Sequence, residues 1–157
     1  MDDGSIDRID VRIMDELTRD GRLSVAELAR RVGLSKTPCQ IRLNRLRKNG
    51  YILGFRAIID PVRLEREHVA FAEIKLVDTT ERALRAFNAA AMKVPEIEEC
   101  HMIAGSFDYL LKVRTRNMKD YRHVLGEVIS ALPHVASTSS YVSMEAVKDP
   151  GLIQLGQ

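Results

Sequence analysis

Several features that mark secreted, membrane-spanning or metal-stabilised proteins are scarce or missing in this 157-residue chain. It has two cysteines, Cys39 and Cys100, whose spacing matches neither a CxxC pair nor a Cys/His zinc site. This scarcity excludes a disulfide-rich secreted domain and favours a reducing compartment. No apolar stretch approaches the ~18 residues of a membrane span, and the acidic first ten residues lack the apolar run of a signal peptide. We therefore expect a cytoplasmic protein with no membrane partner.

Motifs for catalysis and for cofactor binding are also missing. The four histidines are scattered along the chain and form no HExxH spacing. There is no phosphate-binding glycine loop and no nucleophile elbow. These absences predict a protein that is not an enzyme and that holds no cofactor or metal.

The chain does have an ordinary globular composition, with charge that is unevenly distributed. Apolar residues make up 45% and charged residues 29%, which argues against a disordered chain, and the length allows one domain or two small ones. Residues 22–56 contain nine Lys or Arg side chains and a single acidic residue, Glu27. A basic block of this kind is expected on a protein that binds a polyanion, although a solvated basic face is the simpler alternative.

Two helices are predicted at the start of the chain. Apolar residues recur at helical spacing over residues 6–19, where Asp7 can cap the helix with Asp10 at its third position. Ser24 and Glu27 form a capping box that begins a short second helix.

A tight turn and a third helix follow. Gly33 allows the turn, because glycine adopts left-handed backbone without a steric penalty, and Ser35 is placed to cap the third helix. Residues 51–59 then predict two short strands bent at Gly54. Helix, short turn with glycine and helix form the helix-turn-helix arrangement, whose second helix enters the DNA major groove. We therefore predict a winged helix-turn-helix DNA-binding domain over residues 1–60.

The third helix has one apolar side and one polar, basic side. Cys39, Leu43 and Leu46 cluster on the side that must face the first two helices. No acidic residue lies between positions 35 and 48. The outer side and its flanks supply the predicted DNA-binding residues: Ser35, Lys36, Thr37, Gln40, Ile41, Arg42, Asn44, Arg45, Arg47 and Lys48.

These side chains suit two kinds of contact with promoter or operator DNA. Gln40 and Asn44 can read adenine, and Arg45 can read guanine. Ile41 can meet a thymine methyl group, but it is explained equally well as an exposed aliphatic residue or an edge contact with the wing. The remaining basic residues are better placed for phosphates, which orient the protein without specifying sequence: Lys36, Arg42, Arg47 and Lys48.

The second half of the chain predicts the element order β-α-β-β-α-β, which is the ferredoxin-like plan of an α+β domain. This domain is expected to span residues 68–157 after a polar linker at residues 61–67. The strands are predicted at residues 69–77, 97–104, 109–114 and 135–147. The sheet face away from the helices carries Val69 and Phe71, a liability in a monomer that predicts at least a homodimer.

Two segments of the chain carry a resemblance to a known family. DRIDVRIMDELTRDGRLSVAELARRVGLSKTPCQIRLNRLRKNGYI resembles the DNA-binding part of the Lrp/AsnC transcription factors, the leucine-responsive and asparagine-synthetase regulators. EECHMIAGSFDYLLKV, followed by EAVK, is similar to the amino-acid-binding domain of that family. The resemblance implies a bacterial or archaeal regulator that binds DNA as dimers, often assembled into tetramers or octamers. It also implies that a small effector, usually an amino acid, modulates DNA binding or assembly.

The resemblance implies an effector site between dimers, near the loop that joins the two central strands. Many family members have Thr-Gly-Asp where this chain has Ala104, Gly105 and Ser106, and Pro and Leu where it has Lys36 and Gln40. Effector and operator therefore need not follow the family's norm. The predicted effector-binding residues are Ala104, Gly105, Ser106, Asp108, Tyr109 and Tyr141.

Without the resemblance, the same loop has simpler explanations. Gly105 permits close backbone approach and Asp108 can pair with a ligand ammonium group, but the two residues also suit a turn and its cap. Tyr141 equally suits packing on a sheet face. The alternative function is an oligomeric small-molecule-binding module without specific DNA binding, which would show no salt-dependent association with duplex DNA.

Overall fold

A computed structural model describes residues 5–148 of the chain. The chain divides into two compact units between Ala57 and Ile58, and each unit has its own hydrophobic core. The first unit contains three helices: α1 (Arg8–Arg19), α2 (Val25–Val32) and α3 (Lys36–Lys48).

The helices begin at side chains that accept hydrogen bonds from otherwise unpaired backbone N–H groups. Asp7 and Asp10 form the predicted capping box of α1, in which each side chain accepts the backbone N–H of the other. Ser24 Oγ accepts the Glu27 N–H at 3.2 Å and confirms the predicted start of α2. Ser35 takes the predicted N-cap position of α3, but its side chain forms no capping hydrogen bond, so that part of the prediction is wrong.

The core of the first unit joins the three helices. Ile13 of α1 and Leu28 of α2 are fully buried and pack in one cluster with Cys39 and Leu46 of α3. Gly33 ends α2 at φ 74°, the left-handed conformation that the predicted turn requires. The side of α3 that faces the core is therefore the predicted one.

Residues 51–59 contain no strand, so the predicted pair of wing strands is wrong. Leu53 is 94% exposed and Phe55 53% exposed, so neither side chain has the burial that would stabilise strand pairing. A two-stranded hairpin is marginally stable in water unless it packs against other structure. The alternation of apolar residues in this segment was therefore insufficient evidence for a hairpin.

The second unit is the predicted ferredoxin-like α+β domain. Its four strands form one antiparallel sheet in the order β2-β3-β1-β4. Its elements, in chain order, are β1 (His68–Leu76), α4 (Glu81–Ala91), β2 (Ile97–Met102), β3 (Tyr109–Thr115), α5 (Met118–His123), a π-helical turn (Val124–Ile129) and β4 (Val135–Val142).

Apolar residues of alternate strand positions pack under the helices. Ile74 of β1 and Leu111 of β3 are fully buried in a cluster with Phe87 of α4. The π-helical turn after α5 brings Ile129 into the same core. β4 ends at Val142, five residues before the predicted end.

Neither a membrane span nor a metal cluster occurs in the part of the chain that the structure describes. Between residues 5 and 148 no helix has the length and apolar character needed to cross a membrane. The same residues include no group of three or more His, Cys, Asp or Glu side chains arranged to hold a metal ion.

Candidate DNA-binding surface and effector site

The outer face of α3 exposes polar and basic side chains together with one aliphatic residue. Ile41 lies at the middle of this face and is 63% exposed. Its neighbours one turn away on either side are Thr37 and, slightly offset, Asn44, both exposed. The exposed members of the predicted set are Ser35, Lys36, Thr37, Ile41, Asn44, Arg47 and Lys48.

Two amide side chains on α3 are joined to each other. Gln40 Nε2 donates to Asn44 Oδ1 at 3.0 Å, across one helical turn. This bond leaves an acceptor on Gln40 and donors on Asn44, which is the combination that an adenine edge requires. The pair restrains both amides before any partner is present, so less side-chain entropy is lost on binding.

The side chains of Arg42 and Arg45 turn from α3 toward the start of α1, although Arg45 itself lies one helical turn from Ile41. Both side chains are about three-quarters buried and point toward the start of α1. Arg42 Nη1 donates to Asp7 Oδ2 at 2.7 Å and to Asp10 Oδ1 at 3.0 Å, and Arg45 Nη2 donates to Asp10 Oδ2 at 2.5 Å. The physical reason is that the Asp10 side chain is fully buried, and a buried carboxylate must be paired.

Asp7 and Asp10 thus cap α1 and also pair with two arginines of α3. The N–H of Asp10, followed by the Arg42 guanidinium, lowers the pKa of Asp7 below its usual range. Asp10 raises the pKa of Arg42, and Asp7 adds to that effect. The sequence predicts both acids only as caps. The missed signal was two acids on α1 beside a helix with five Lys or Arg residues and no acid of its own.

The predicted effector loop connects β2 to β3. Ala104, Gly105 and Ser106 are exposed. A Cβ atom on Gly105 would meet Ile103 Cγ2 at 3.5 Å, an ordinary contact. A Cβ atom at position 105 would therefore fit in the loop without a steric clash.

Asp108 at the base of the loop already has partners within the chain. Its Oδ2 accepts the Leu76 N–H at 2.7 Å, and its Oδ1 accepts Lys75 Nζ at 3.2 Å. The Leu76 N–H, and after it the Lys75 ammonium group, lowers the pKa of Asp108. In this structure Asp108 links the loop to the end of β1 through these two contacts, and its role toward an effector stays a prediction.

The two tyrosines of the predicted effector site lie on opposite faces of the sheet. Tyr109 pairs in register with the buried Ile74 and faces the helices. Tyr141 pairs with Phe71 on the other face and donates to Glu73 Oε2 at 3.3 Å. Within one chain the structure therefore does not bring Tyr141 to the loop, and sheet-face packing is its observed setting.

A cleft beside Tyr109 was not predicted. It has a volume of about 440 Å³ and lies between α4 and the edge strand β2. Asn88 of α4 and Met92, just after that helix, line one side, and Cys100 and Met102 of β2 line the other. The Tyr109 hydroxyl is buried and has no hydrogen-bond partner in the described structure. A concave site of this size with a few polar groups has the general form of a small-molecule site.

The face of the sheet opposite the helices is partly apolar and uncovered in the single chain. Tyr141 is 54% exposed on this face. Phe71, Leu110 and Val69 share this face and are half-buried. Such a surface suits contact with another protein surface.

Family models match both units of the chain. Residues 6–52 match a model described as winged helix-turn-helix DNA-binding, and residues 69–153 match the Lrp/AsnC ligand binding domain. The exposed basic face of α3 agrees with the first match. Together they define the class: a DNA-binding transcriptional regulator that pairs a helix-turn-helix domain with a ligand-binding domain.

Relatives identify the family within that class. The chain is 58% identical over 147 residues to the proline dehydrogenase transcriptional activator of Rhizobium radiobacter, covering 94% of both chains. It is 48% identical over 143 residues to the leucine-responsive regulatory protein of Salmonella typhimurium, covering 91% of this chain and 87% of the relative. The chain belongs to the Lrp/AsnC family of transcriptional regulators.

Solved structures share the fold along almost the whole chain. A transcriptional regulator from Neisseria meningitidis, solved in complex with L-Met, superposes with a TM-score of 0.87 at 28% identity and covers 92% of this chain and 94% of its own. An AsnC family regulator from Agrobacterium tumefaciens gives the same TM-score at 31% identity and the same coverage. The relatives described here are transcription regulators, not enzymes.

Proposed function

We propose that this regulator reads promoter DNA with the outer face of α3 and that an amino acid bound by the second unit changes its DNA binding or assembly. Residues 1–60 would then be the DNA-binding domain, residues 61–67 a linker, and residues 68–157 the domain for effector binding and oligomerisation. The observation that carries the proposal is the exposed, acid-free face of α3. We further propose a cytoplasmic, non-catalytic protein, because its target is the chromosome.

The DNA-contact proposal assigns different roles to different parts of α3. Thr37, Gln40, Ile41 and Asn44 would meet base edges, since they occupy the centre of the exposed face. Phosphates would be bound by the basic residues toward the two ends of α3, which are Lys36, Arg47 and Lys48. Ser35 would join them at the N-terminus of the helix. Arg42 and Arg45 are held at the flank by α1 in the absence of DNA.

Fluorescence anisotropy with a labelled duplex at several salt concentrations tests this assignment. Affinity should fall steeply with salt, because each phosphate contact releases counterions. The double variant Arg47→Ala/Lys48→Ala should flatten the log–log salt slope by up to about 0.9 per lost contact. Lys93→Ala, which removes an exposed charge from the second unit, is the matched control. Salt-independent binding, or an equal effect in the control, contradicts the proposal.

The names of relatives suggest a target gene. Two relatives with 58% and 55% identity are named proline dehydrogenase transcriptional activators. We therefore propose that this chain activates transcription of a proline dehydrogenase gene. Footprinting on the promoter of that gene from the source genome should show protection. Protection of unrelated promoters with equal affinity would contradict the assignment.

The effector proposal combines the loop with the cleft beside it. The neighbour from Neisseria meningitidis is bound to L-Met, which shows that a protein of this fold accepts an amino acid. In this chain the exposed Ala104, Gly105 and Ser106 would approach the ligand by their backbone, and Tyr109 would offer its unpaired hydroxyl from the cleft. Proline is the first candidate, because it is the substrate of the enzyme named in the relatives.

A thermal-shift scan against all twenty amino acids tests the effector class. A ligand present at 100 times its dissociation constant stabilises the folded state by about 2.7 kcal/mol, which is a shift of several degrees. Asn88→Ala, on the cleft wall, should reduce the shift, whereas Arg85→Ala, on the exposed side of α4, should not. No shift with any amino acid contradicts the effector proposal and leaves the DNA-contact proposal standing.

The apolar face of the sheet supports a homodimer, with tetramers or octamers as higher assemblies. Burial of Val69, Phe71 and Tyr141 against a second copy would remove this surface from water. Light scattering at micromolar protein should give at least twice the 17.7 kDa chain mass. Tyr141→Lys should lower that mass, and a monomer in the wild type would contradict the proposal.

A further inference from the structure

Four charged side chains connect the start of α1 to α3, and we call them the acid–arginine cluster: Asp7, Asp10, Arg42 and Arg45. The acids and the arginines are more than 30 positions apart in sequence, so the fold brings them together. Arg42 Nη1 is shared by both carboxylates, and Arg45 contacts Asp10 alone among the two acids.

We propose that Asp7 and Asp10 determine how well the regulator distinguishes its operator from other DNA, by keeping Arg42 and Arg45 off the phosphate backbone. This inference rests on the proposed role of α3 as the DNA-reading helix. The two acids would act as positioning residues, since they act on DNA through the arginines.

The electrostatic argument starts from the composition of α3. The helix carries five Lys or Arg residues and no acid. Contacts between such residues and phosphates supply almost all non-specific binding, and they strengthen binding to every sequence alike. Pairing two of the five cations with α1 lowers this general attraction. Base contacts by Gln40, Ile41 and Asn44 are unaffected, so the ratio of specific to non-specific affinity rises.

The arginines remain close enough to DNA for this restraint to matter. Arg42 and Arg45 retain 26% and 27% exposure of their side chains, so neither guanidinium is sealed in the core. Arg45 lies one helical turn from both Ile41 and Lys48, which are exposed members of the DNA-facing set. A change of side-chain rotamer would therefore turn either guanidinium toward a phosphate beside that face.

The geometry separates the effect on Arg42 from the capping of α1. Asp7 Oδ1 accepts the helix N–H groups, while Asp7 Oδ2 pairs with Arg42. Asparagine at position 7 keeps an oxygen for the cap and is as good an N-cap residue as aspartate. Asp7→Asn therefore removes charge from the partner of Arg42 with little change to the helix.

The test compares two duplexes: one selected from a random-sequence library by the wild-type protein, and a scrambled version of it. We expect Asp7→Asn to bind the scrambled duplex several-fold more tightly. The log–log salt slope should steepen by up to about 0.9, the value for one extra phosphate contact. The affinity ratio between the duplexes should fall by the same several-fold factor. The double variant Asp7→Asn/Arg42→Gln should return the slope to the wild-type value.

Asp15→Asn is the matched control for charge. Asp15 lies on the same helix, is exposed, and forms no ion pair with α3 in the described structure. An equal gain in Asp7→Asn and Asp15→Asn would mean a general charge effect and would overturn the inference. So would a loss of affinity on both duplexes with an unchanged slope, which is the result of a structural role alone. Asp10→Asn, checked first for folding by circular dichroism, should show a larger change of slope because it contacts both arginines.

The inference and the proposed function fail in different ways. If the wild type selects no sequence and binds duplex DNA without salt dependence, the proposed function of α3 fails. If the wild type selects a sequence and Asp7→Asn leaves the affinity ratio and slope unchanged, the inference alone fails.

Discussion

Replacing Asp108 separates a structural role in the effector loop from a role in ligand binding. Asp108→Ala removes the acceptor of the Leu76 N–H, which is 2.7 Å from Asp108 Oδ2 at the end of β1. Leu76 is buried, so its N–H is left poorly satisfied, at a cost of about 1–3 kcal/mol. The half-exposed ion pair with Lys75 adds less than about 1 kcal/mol.

Thermal unfolding followed by circular dichroism measures this cost. In a unit of roughly 100 residues, each 1 kcal/mol lowers Tm by about 4–8 °C, so the expected fall is at least several degrees. Asp108→Asn should lose less, because its amide oxygen still accepts the Leu76 N–H. Glu145→Ala, at an exposed position of the same unit, should leave Tm unchanged.

The pH dependence gives the same prediction an independent check. The pKa of Asp108 is lowered in the folded protein, so its stabilising effect is complete above the ordinary aspartate pKa of about 4 and is lost as pH falls through the lowered value. The difference in Tm between wild type and Asp108→Asn should therefore shrink below about pH 4. An Asp108→Ala protein that unfolds at the wild-type temperature would refute the structural role. Loss of effector response in a stable Asp108→Asn protein would restore the ligand role.

Further predictions concern packing, helix ends and the cleft. Phe87→Ala should cost about 3–5 kcal/mol in chemical denaturation, because the ring is fully buried and its centroid lies 4.4 Å from that of Tyr109. A cost below about 1 kcal/mol would contradict this packing. Tyr109→Phe should leave Tm unchanged or higher, because the hydroxyl lacks a partner, yet it should weaken the amino-acid-induced thermal shift. Gly33→Ala should lower Tm, since φ is 74° there, whereas Gly54→Ala should not, and equal effects would contradict the backbone argument. The difference in free energy of unfolding between wild type and Glu27→Gln should become smaller as pH falls from the ordinary glutamate range toward 2. The reason is that Arg30, and then Arg31, lowers the pKa of Glu27 to about 2.

Local signals in the sequence were sufficient for most of the fold. The capping box at Asp7 and the Ser24 cap mark where α1 and α2 begin, because the hydrogen bonds involve only neighbouring residues. The second half of the predicted box at Ser24 does not form, since the Glu27 carboxylate pairs with Arg30 and Arg31. Alternation along β1 gave the face that packs under the helices, since the period of two is a property of the strand itself. The order of elements then left the ferredoxin-like plan as the expected arrangement.

The failed predictions depend on contacts that are distant in sequence. Apolar residues alternate over residues 51–59 as in a hairpin, but a hairpin must pack against other structure to be stable, and Leu53 and Phe55 remain exposed. The segment after α5 forms a π-helical turn, where the sequence predicts an ordinary helix. The cleft between α4 and β2 exists only after the helix has docked, so no single motif marks it.

The placement of Arg45 shows why a helical wheel was insufficient for the DNA-binding surface. α3 contributes only Cys39 and Leu46 as fully buried side chains, so apolar packing alone gives this basic helix a small attachment. The buried carboxylate of Asp10 adds a second attachment by binding two arginines one turn apart. A buried acid left without those partners would be strongly destabilising, so the arginines are held by the folding of α1 itself. If α3 reads DNA as proposed, the same ion pairs that attach α3 would also set which of its charges face DNA, so stability and recognition in this unit would both depend on the Asp10 carboxylate.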